Sequence, residues 1–211
     1  MHDASTLTTL PDFLEGFAQI HAAMRRDAGR LPRAIRTAGC AALAPWYERF
    51  RATIEHHHQR EDDLVWPRLC DRSPGFAGEL EALHDDHVAL DAALHSVGAA
   101  LAAGDERGAV RAAVDLHDLL HDHLDREEAA AFGRIAAAYT AEEYEALEKE
   151  MVKGTSLRGL AFEAPWILDE LDPAEARRRM EVVPLPLRLL YRLAFVRSYR
   201  KVAAPILAVA R

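Results

Sequence analysis

His57-His58-Gln59-Arg60-Glu61-Asp62-Asp63-Leu64-Val65-Trp66-Pro67 decides the reading of this chain, because His123-Leu124-Asp125-Arg126-Glu127-Glu128 answers it 66 residues later. Both stretches place a histidine four residues before a glutamate. At about 100° per residue, positions i and i+4 of an α-helix differ by about 40° and about 6 Å of rise, so imidazole and carboxylate leave one face a turn apart. The same offset pairs His21 with His87 and Trp66 with Phe132. It also carries an apolar framework: Leu14/Leu80, Phe17/Leu83, Met24/Leu90, Phe50/Leu116 and Ile54/Leu120. Two helix pairs of one kind, each offering a lone histidine and a His-x-x-x-Glu, bring four imidazoles and two carboxylates to one interior point. That is a ligand set for two adjacent iron ions. A lone core histidine is more often hydrogen-bonded than metallated. Six polar groups set mid-stripe, however, are costly to bury without partners.

Working outward, the apolar spacing predicts four long helices. Helix A spans Pro11 to Leu31, ahead of Pro32, with Phe13, Leu14, Phe17, His21, Met24 and Ala28 on its buried stripe. The stretch from Arg33 to Ala44 is a connection with some helical capacity. Helix B opens at Pro45 and stops at Trp66, since Pro67 lacks a donor; its stripe is Trp46, Phe50, Ile54, His57, Glu61 and Leu64. Helix C follows the turn Ser73-Pro74-Gly75 and ends near Gly104, with Leu80, Leu83, His87, Leu90 and Leu94 inward. Helix D runs from Asp105 to Ala138, with Leu116, Leu120, His123, Glu127 and Ala131 inward. Short links between such helices predict an all-α fold, an up-down-up-down four-helix bundle over residues 1–139.

Thr140 then opens a fifth helix as an N-cap before the acidic first turn Glu142-Glu143, and that helix ends near Gly154. A loop containing Pro165-Trp166, a short helix from Asp172-Pro173 and a last helix after Pro184 and Pro186 complete the chain. Residues 140–211 are read as a C-terminal helical extension packing on the bundle. They contain no histidine and do not repeat the first half.

Seven further histidines compete with the four on the stripes. His56, His58, His117 and His121 lie roughly 70° or more from their stripe centres and are expected to face solvent or helix boundaries. His2 sits in a terminus expected to fray, and His95 lies far from the ligand level. His84, three residues before His87, flanks the site; a surface position is the first reading and a fifth nitrogen ligand the second.

Composition sets the remaining bounds. Cys40 and Cys70 have no metal-like spacing, so a disulfide framework or a cysteine-held metal is not indicated. The N-terminus lacks the pattern of a signal peptide and no apolar run approaches a membrane span, which makes a cytoplasmic, reducing compartment the expectation. Residues 177–211 carry nine Lys/Arg against Glu181, a charge of +8, which leaves −16 on residues 1–176 of a chain at −8. Attraction of this tail to the acidic bundle, within a chain or across a homodimer, is its simplest use. Its arginines spread around the helix instead of sharing a face, so neither nucleic acid nor a lipid surface is expected. Leu187, Leu190, Tyr191, Phe195 and Tyr199 read as packing residues.

The ordered set resembles the hemerythrin superfamily, specifically the hemerythrin-like HHE cation-binding domain. The resemblance rests on His21 within IHAAMRRD, the run from His57 to Pro67, His87 within LHDDHVAL, and HLDREE from His123 to Glu128, and it covers roughly residues 10–138. It implies a four-helix bundle around a non-haem di-iron centre with a bridging oxo or hydroxo group. His21 and His57 would serve one iron, His87 and His123 the other, and Glu61 and Glu127 would bridge them. Oxygen-carrying members use a fifth histidine one turn before the helix C ligand; here that position is Leu83. The ferritin-like pattern Glu-x-x-His is matched by Glu55-x-x-His58 and Glu81-x-x-His84, but Glu55 and Glu81 lie about 130–140° from the inward stripes, on the wet side.

These observations predict a non-haem di-iron protein that binds or reduces O2 or H2O2, in oxidative or nitrosative stress handling or in sensing, with NO as a further small ligand. Four protein ligands and a bridge leave a position open at both irons, an arrangement suited to two-electron chemistry. If the centre turns over, peroxide decomposition of the catalase or peroxidase kind is expected. Asp62, Asp86 and Glu128 are placed to orient imidazoles from behind. The alternatives are iron storage or buffering, and a metal-stapled interaction protein without turnover.

Overall fold

The computed structural model describes residues 10–169, 171–181 and 183–209, so His2 and Arg211 lie outside them. Among the described residues every regular element is helical. After a short 3-10 turn come α1 (Glu15–Ala38) and α2 (Cys40–Arg60). A π-turn (Glu61–Val65) and α3 (Trp66–Arg72) follow, then α4 (Leu80–Ala103) and α5 (Glu106–Ala138). The C-terminal part holds α6 (Ala141–Met151), α7 (Leu157–Leu168), α8 (Pro173–Glu181), α9 (Leu185–Leu190), a second π-turn (Tyr191–Phe195) and α10 (Val196–Leu207). Helix α1 packs against α5 and α2, α2 against α4, and α4 against α5, forming a helical bundle. Its interior is the paired apolar framework: Leu14, Phe17, Met24, Phe50, Ile54, Leu83, Leu90, Leu116 and Leu120 are all buried.

Local chemistry sets the ends of several elements. Gly104 closes α4 in the left-handed region at φ 69°, where a Cβ would be strained. Asp105 then caps α5, its carboxylate accepting from the Gly108 amide at 3.0 Å. Thr140 and Glu143 form a reciprocal capping box at the start of α6, as the sequence predicts.

Prolines are where expectation and structure part. Helix α1 does not stop before Pro32 but continues to Ala38, and α2 begins at Cys40 and runs through Pro45. An interior proline costs about 3 kcal/mol. Continuing the helices buries Leu31, Ile35, Leu43 and Trp46 completely, and each large apolar side chain buried contributes about 1.5–3 kcal/mol, which outweighs the loss. Pro67 does not end helix B either. The π-turn carries the chain across it, with the Trp66 amide donating to the Glu61 carbonyl five residues back. The extra residue shifts the inward phase, so Val65 and Trp66 are buried and Leu64, read as the stripe residue, is half-buried. Pro165-Trp166 is likewise inside a helix, α7, with Phe162 and Trp166 buried, and not in a loop. In the last helix Phe195 and Tyr199 are buried, whereas Leu187 and Leu190 are exposed. The chain is buried there only from Phe195 onward, so α9 contributes no core residue.

Helices α7 and α10 rest on the outer side of α1 and α2. The contact is built around Asp27 of α1, which is fully buried. Its carboxylate accepts from the Trp166 indole at 2.9 Å, from Arg30 at 2.9 Å and from Arg26 at 2.9 Å. Around it Trp166 meets Phe50 edge-on with centroids 6.0 Å apart, and Phe162 meets Tyr199 at 5.7 Å. Asp27→Ala is expected to cost about 3–5 kcal/mol, because it strands buried donors, and Trp166→Phe about 1–3 kcal/mol. Denaturant unfolding of both single variants and the double variant checks this; the double should cost less than the sum, because one interaction is removed by each.

Candidate metal centre

The six residues singled out by the repeat are all buried and meet at one level of the bundle: His21 from α1, His57 from α2, Glu61 at the first residue of the π-turn, His87 from α4, and His123 and Glu127 from α5. His21 Nε2 lies 3.0 Å from His57 Nε2. Glu61 points one oxygen at each side of the site, Oε1 lying 2.8 Å from His57 Nε2 and Oε2 3.7 Å from His87 Nε2. Glu127 does the same, with Oε1 3.5 Å from His21 Nε2 and Oε2 3.1 Å from His123 Nε2. Each carboxylate therefore spans two imidazoles contributed by different halves of the repeat.

A ring of outer carboxylates fixes three of the imidazoles from behind. Nδ1 of His21 donates to Glu128 at 2.9 Å and Nδ1 of His87 to Asp62 at 3.0 Å, while Nδ1 of His123 faces Asp86 at 3.4 Å. Each of these rings then turns Nε2 inward, the orientation that carboxylate–histidine pairs impose at metal sites. The acids are themselves anchored, Glu128 by Arg25 and Asp86 by both Nε and Nη2 of Arg126.

Toward the centre several inward atoms make no well-aligned hydrogen bond. Both oxygens of Glu61 and of Glu127 and the Nε2 atoms of His87 and His123 are buried and make none among the described residues, their contacts with one another being close but misdirected. The electrostatics match. Burial, and then the charge of His21, hold His57 well below the usual imidazole range, so it is neutral and able to act as a ligand. His87 is lowered by burial against the opposing pull of Asp62. Burial and the neighbouring Glu127 push the Glu61 carboxyl well up. Burial pushes Glu127 the same way, but His21 and His123 outweigh it and draw this carboxyl down. Two buried acids driven apart in this way are a site that a divalent or trivalent cation would relieve. Imidazole nitrogens and carboxylate oxygens in this number fit non-haem iron.

His58, expected to face solvent, is the main correction. It is 3% exposed, stacks on His87 with ring centroids 4.2 Å apart and planes at 9°, and meets His123 edge-on at 5.1 Å. Helix α2 is wedged between α1 and α4, so its buried arc is wider than one stripe. The step of about 100° between neighbours carries His57 toward α1 and His58 toward α4 and α5. His84 is a surface residue, 65% exposed, and His56 is exposed; His117 and His121 are half-buried. Two clusters of ligating atoms result, each within 4.8 Å: His21, His57, Glu61 and Glu127 in one, and His58, His87 and His123 in the other.

A cavity of about 360 Å3 reaches this centre from outside. It lies between α1, α2, α6 and α7 and ends on His57 and Glu61, with Phe17, Ile20, Tyr144 and Val152 among its walls. A larger hollow of about 530 Å3, bordered by Arg49, His56 and Arg158, touches none of the six residues.

Residues 12–135 match the hemerythrin HHE cation-binding domain. The match spans more than half of the chain, and the protein belongs to that family. No match was found among curated proteins or among solved structures. Among the described residues, no helix is long and apolar enough to cross a membrane.

A cation bound only by the folded chain stabilises it by about 4 kcal/mol at a thousandfold excess over its dissociation constant. Stripping metal with a chelator is therefore expected to lower the thermal midpoint, and adding ferrous iron back should restore it. Identical melting curves in both states would contradict a metal-holding core.

Proposed function

We propose that the protein is a non-haem di-iron protein that binds or reduces O2 or H2O2. In this reading His21 and His57 hold one iron, His87 and His123 hold the other, and Glu61 and Glu127 bridge them together with an oxo or hydroxo group. The domain assigned to residues 1–139 would be an up-down-up-down four-helix bundle around the pair, and the part assigned to 140–211 a C-terminal helical extension packing on it. The observation that carries this is the divided aim of the two carboxylates: each presents one oxygen to an imidazole of either pair. A carboxylate that served one ion would need only one such direction.

When bound, a di-iron pair supplies two electrons at one place, the stoichiometry needed to reduce O2 or H2O2 to the peroxide or water level. The chain's own part is to disfavour protonation of His57 and His87 by burial, to fix the tilt of His21, His87 and His123 through Glu128, Asp62 and Asp86, and to keep bulk water out. The cavity ending on His57 and Glu61 supports a centre that receives ligands over one that only stores iron. The free thiols of Cys40 and Cys70 suit a reducing cytoplasm.

Metal analysis is expected to give about two irons per chain, and His57→Ala or Glu127→Ala should lose much of that iron together with thermal stability. His56→Ala, on the exposed face of the same helix, should keep both. Retention of two irons by the first two variants would sink the ligand assignment. Removing an outer carboxylate, as in Glu128→Ala, should weaken iron binding by about 10–100-fold without abolishing it. If the cavity is the way in, Val152→Trp at its rim should slow azide binding to the diferric protein several-fold in stopped flow and leave iron content unchanged; an unaltered rate would place the entrance elsewhere.

A further inference from the structure

Helix α2 delivers two consecutive imidazoles to the core, and the function proposed above uses only His57. His58 is buried to the same degree, yet neither of its ring nitrogens has a hydrogen-bond partner among the described residues. Among the described residues, no carboxylate is bonded to it from behind as one is for His21, His87 and His123. Leaving a buried polar atom unsatisfied is destabilising, so an imidazole here is a poor choice for packing, and leucine would serve better. The ring nevertheless lies flat on His87 and edge-on to His123, so that one nitrogen from each of the three falls within 4.8 Å of the others. No carboxylate belongs to that cluster; it is a three-imidazole pocket on the side of the site away from His21 and His57.

We infer that His58 is a third imidazole ligand for the ion held by His87 and His123, so that the two ion positions are chemically unequal. This rests on the di-iron reading. With three imidazoles, two bridging carboxylate oxygens and an oxo or hydroxo bridge, that position has a full octahedral set. The position at His21 and His57 would have two imidazoles and the same three bridging groups, which leaves it one ligand short. The cavity arrives on that side, at His57 and Glu61. Leu83, on α4, therefore does not leave both irons open, as its sequence position suggests. The fifth histidine comes from α2 instead, and the small ligand is directed to one iron.

The test uses the protein as isolated with its iron and compares the wild type with His58→Leu and His58→Ala, with His56→Ala as control. Mössbauer spectra of the diferric wild type should show two inequivalent iron environments in equal amounts. In His58→Leu one environment should change or disappear, and half of the iron should pass to a chelator about tenfold faster or more. Added imidazole should restore the spectrum and slow iron release in His58→Ala, an effect that a packing role does not predict. If His58→Leu keeps both irons, the wild-type spectrum and the wild-type release rate, His58 is a core residue and the inference fails while the di-iron reading stands. A wild type with two identical irons overturns the inequality directly. A wild type that holds fewer than two irons overturns the di-iron reading and this inference with it.

Discussion

Glu61 and Glu127 impose the constraint on which the rest of the molecule depends. Two carboxylates within a dry helical interior repel each other and lose their hydration, and the shifts of their acidities in opposite directions register that conflict. Helix packing by itself gives no reason to tolerate it. The surrounding arrangement is organised to make the conflict useful: imidazoles lie on both sides of each carboxylate, acids stand behind three of the imidazoles, and arginines anchor two of those acids. Positive charge is kept at the rim and electron pairs are turned inward. Such layering fits a cation at the centre, and it explains why the apolar framework repeats at the same 66-residue offset as the ligands.

Much of this is legible from the sequence, because both the helix period and the ligand spacing are local. The stripes of α4 and α5, the cap at Thr140, the six convergent residues and the outer acids Asp62, Asp86 and Glu128 all follow from positions a turn apart. What the sequence hides depends on neighbours. Whether Pro32, Pro45 or Pro165 ends a helix is decided by how much apolar surface lies beyond it, and that is a property of the packed protein. The π-turn at Glu61–Val65 leaves no mark in composition, yet it resets the inward phase and carries the chain past Pro67. His58 escapes the stripe because a single stripe describes a helix with one buried line, whereas α2 is flanked on two sides. The run His56-His57-His58 was the available signal: three adjacent imidazoles sample about 200° of a helix, so a helix buried on two sides takes in two of them.

The extension is tied to the centre more closely than a domain boundary at residue 139 suggests. Its anchor is aromatic and buried, through Trp166 on Asp27 and Phe162 on Tyr199, with surface pairs such as Arg179 to Glu15 contributing at the edge. The charge asymmetry between the tail and the bundle thus accompanies docking more than it causes it, since exposed ion pairs contribute only about 0–1 kcal/mol each.

That placement bears on chemistry. Tyr144 and Val152, at and after α6, form walls of the cavity that ends on His57 and Glu61, and Ile167 of α7 adds another. Without these helices the same side of α1 and α2 would open directly to solvent, and a ligand position at His21 and His57 would be as accessible to water and bulky reductants as to a small diatomic ligand. With them, access runs through an apolar passage of limited volume. In the proposed di-iron centre, selectivity for small ligands would depend on the appended helices as well as on the metal ligands, and changes in α6 or α7 would alter ligand entry while the six-residue set stays intact.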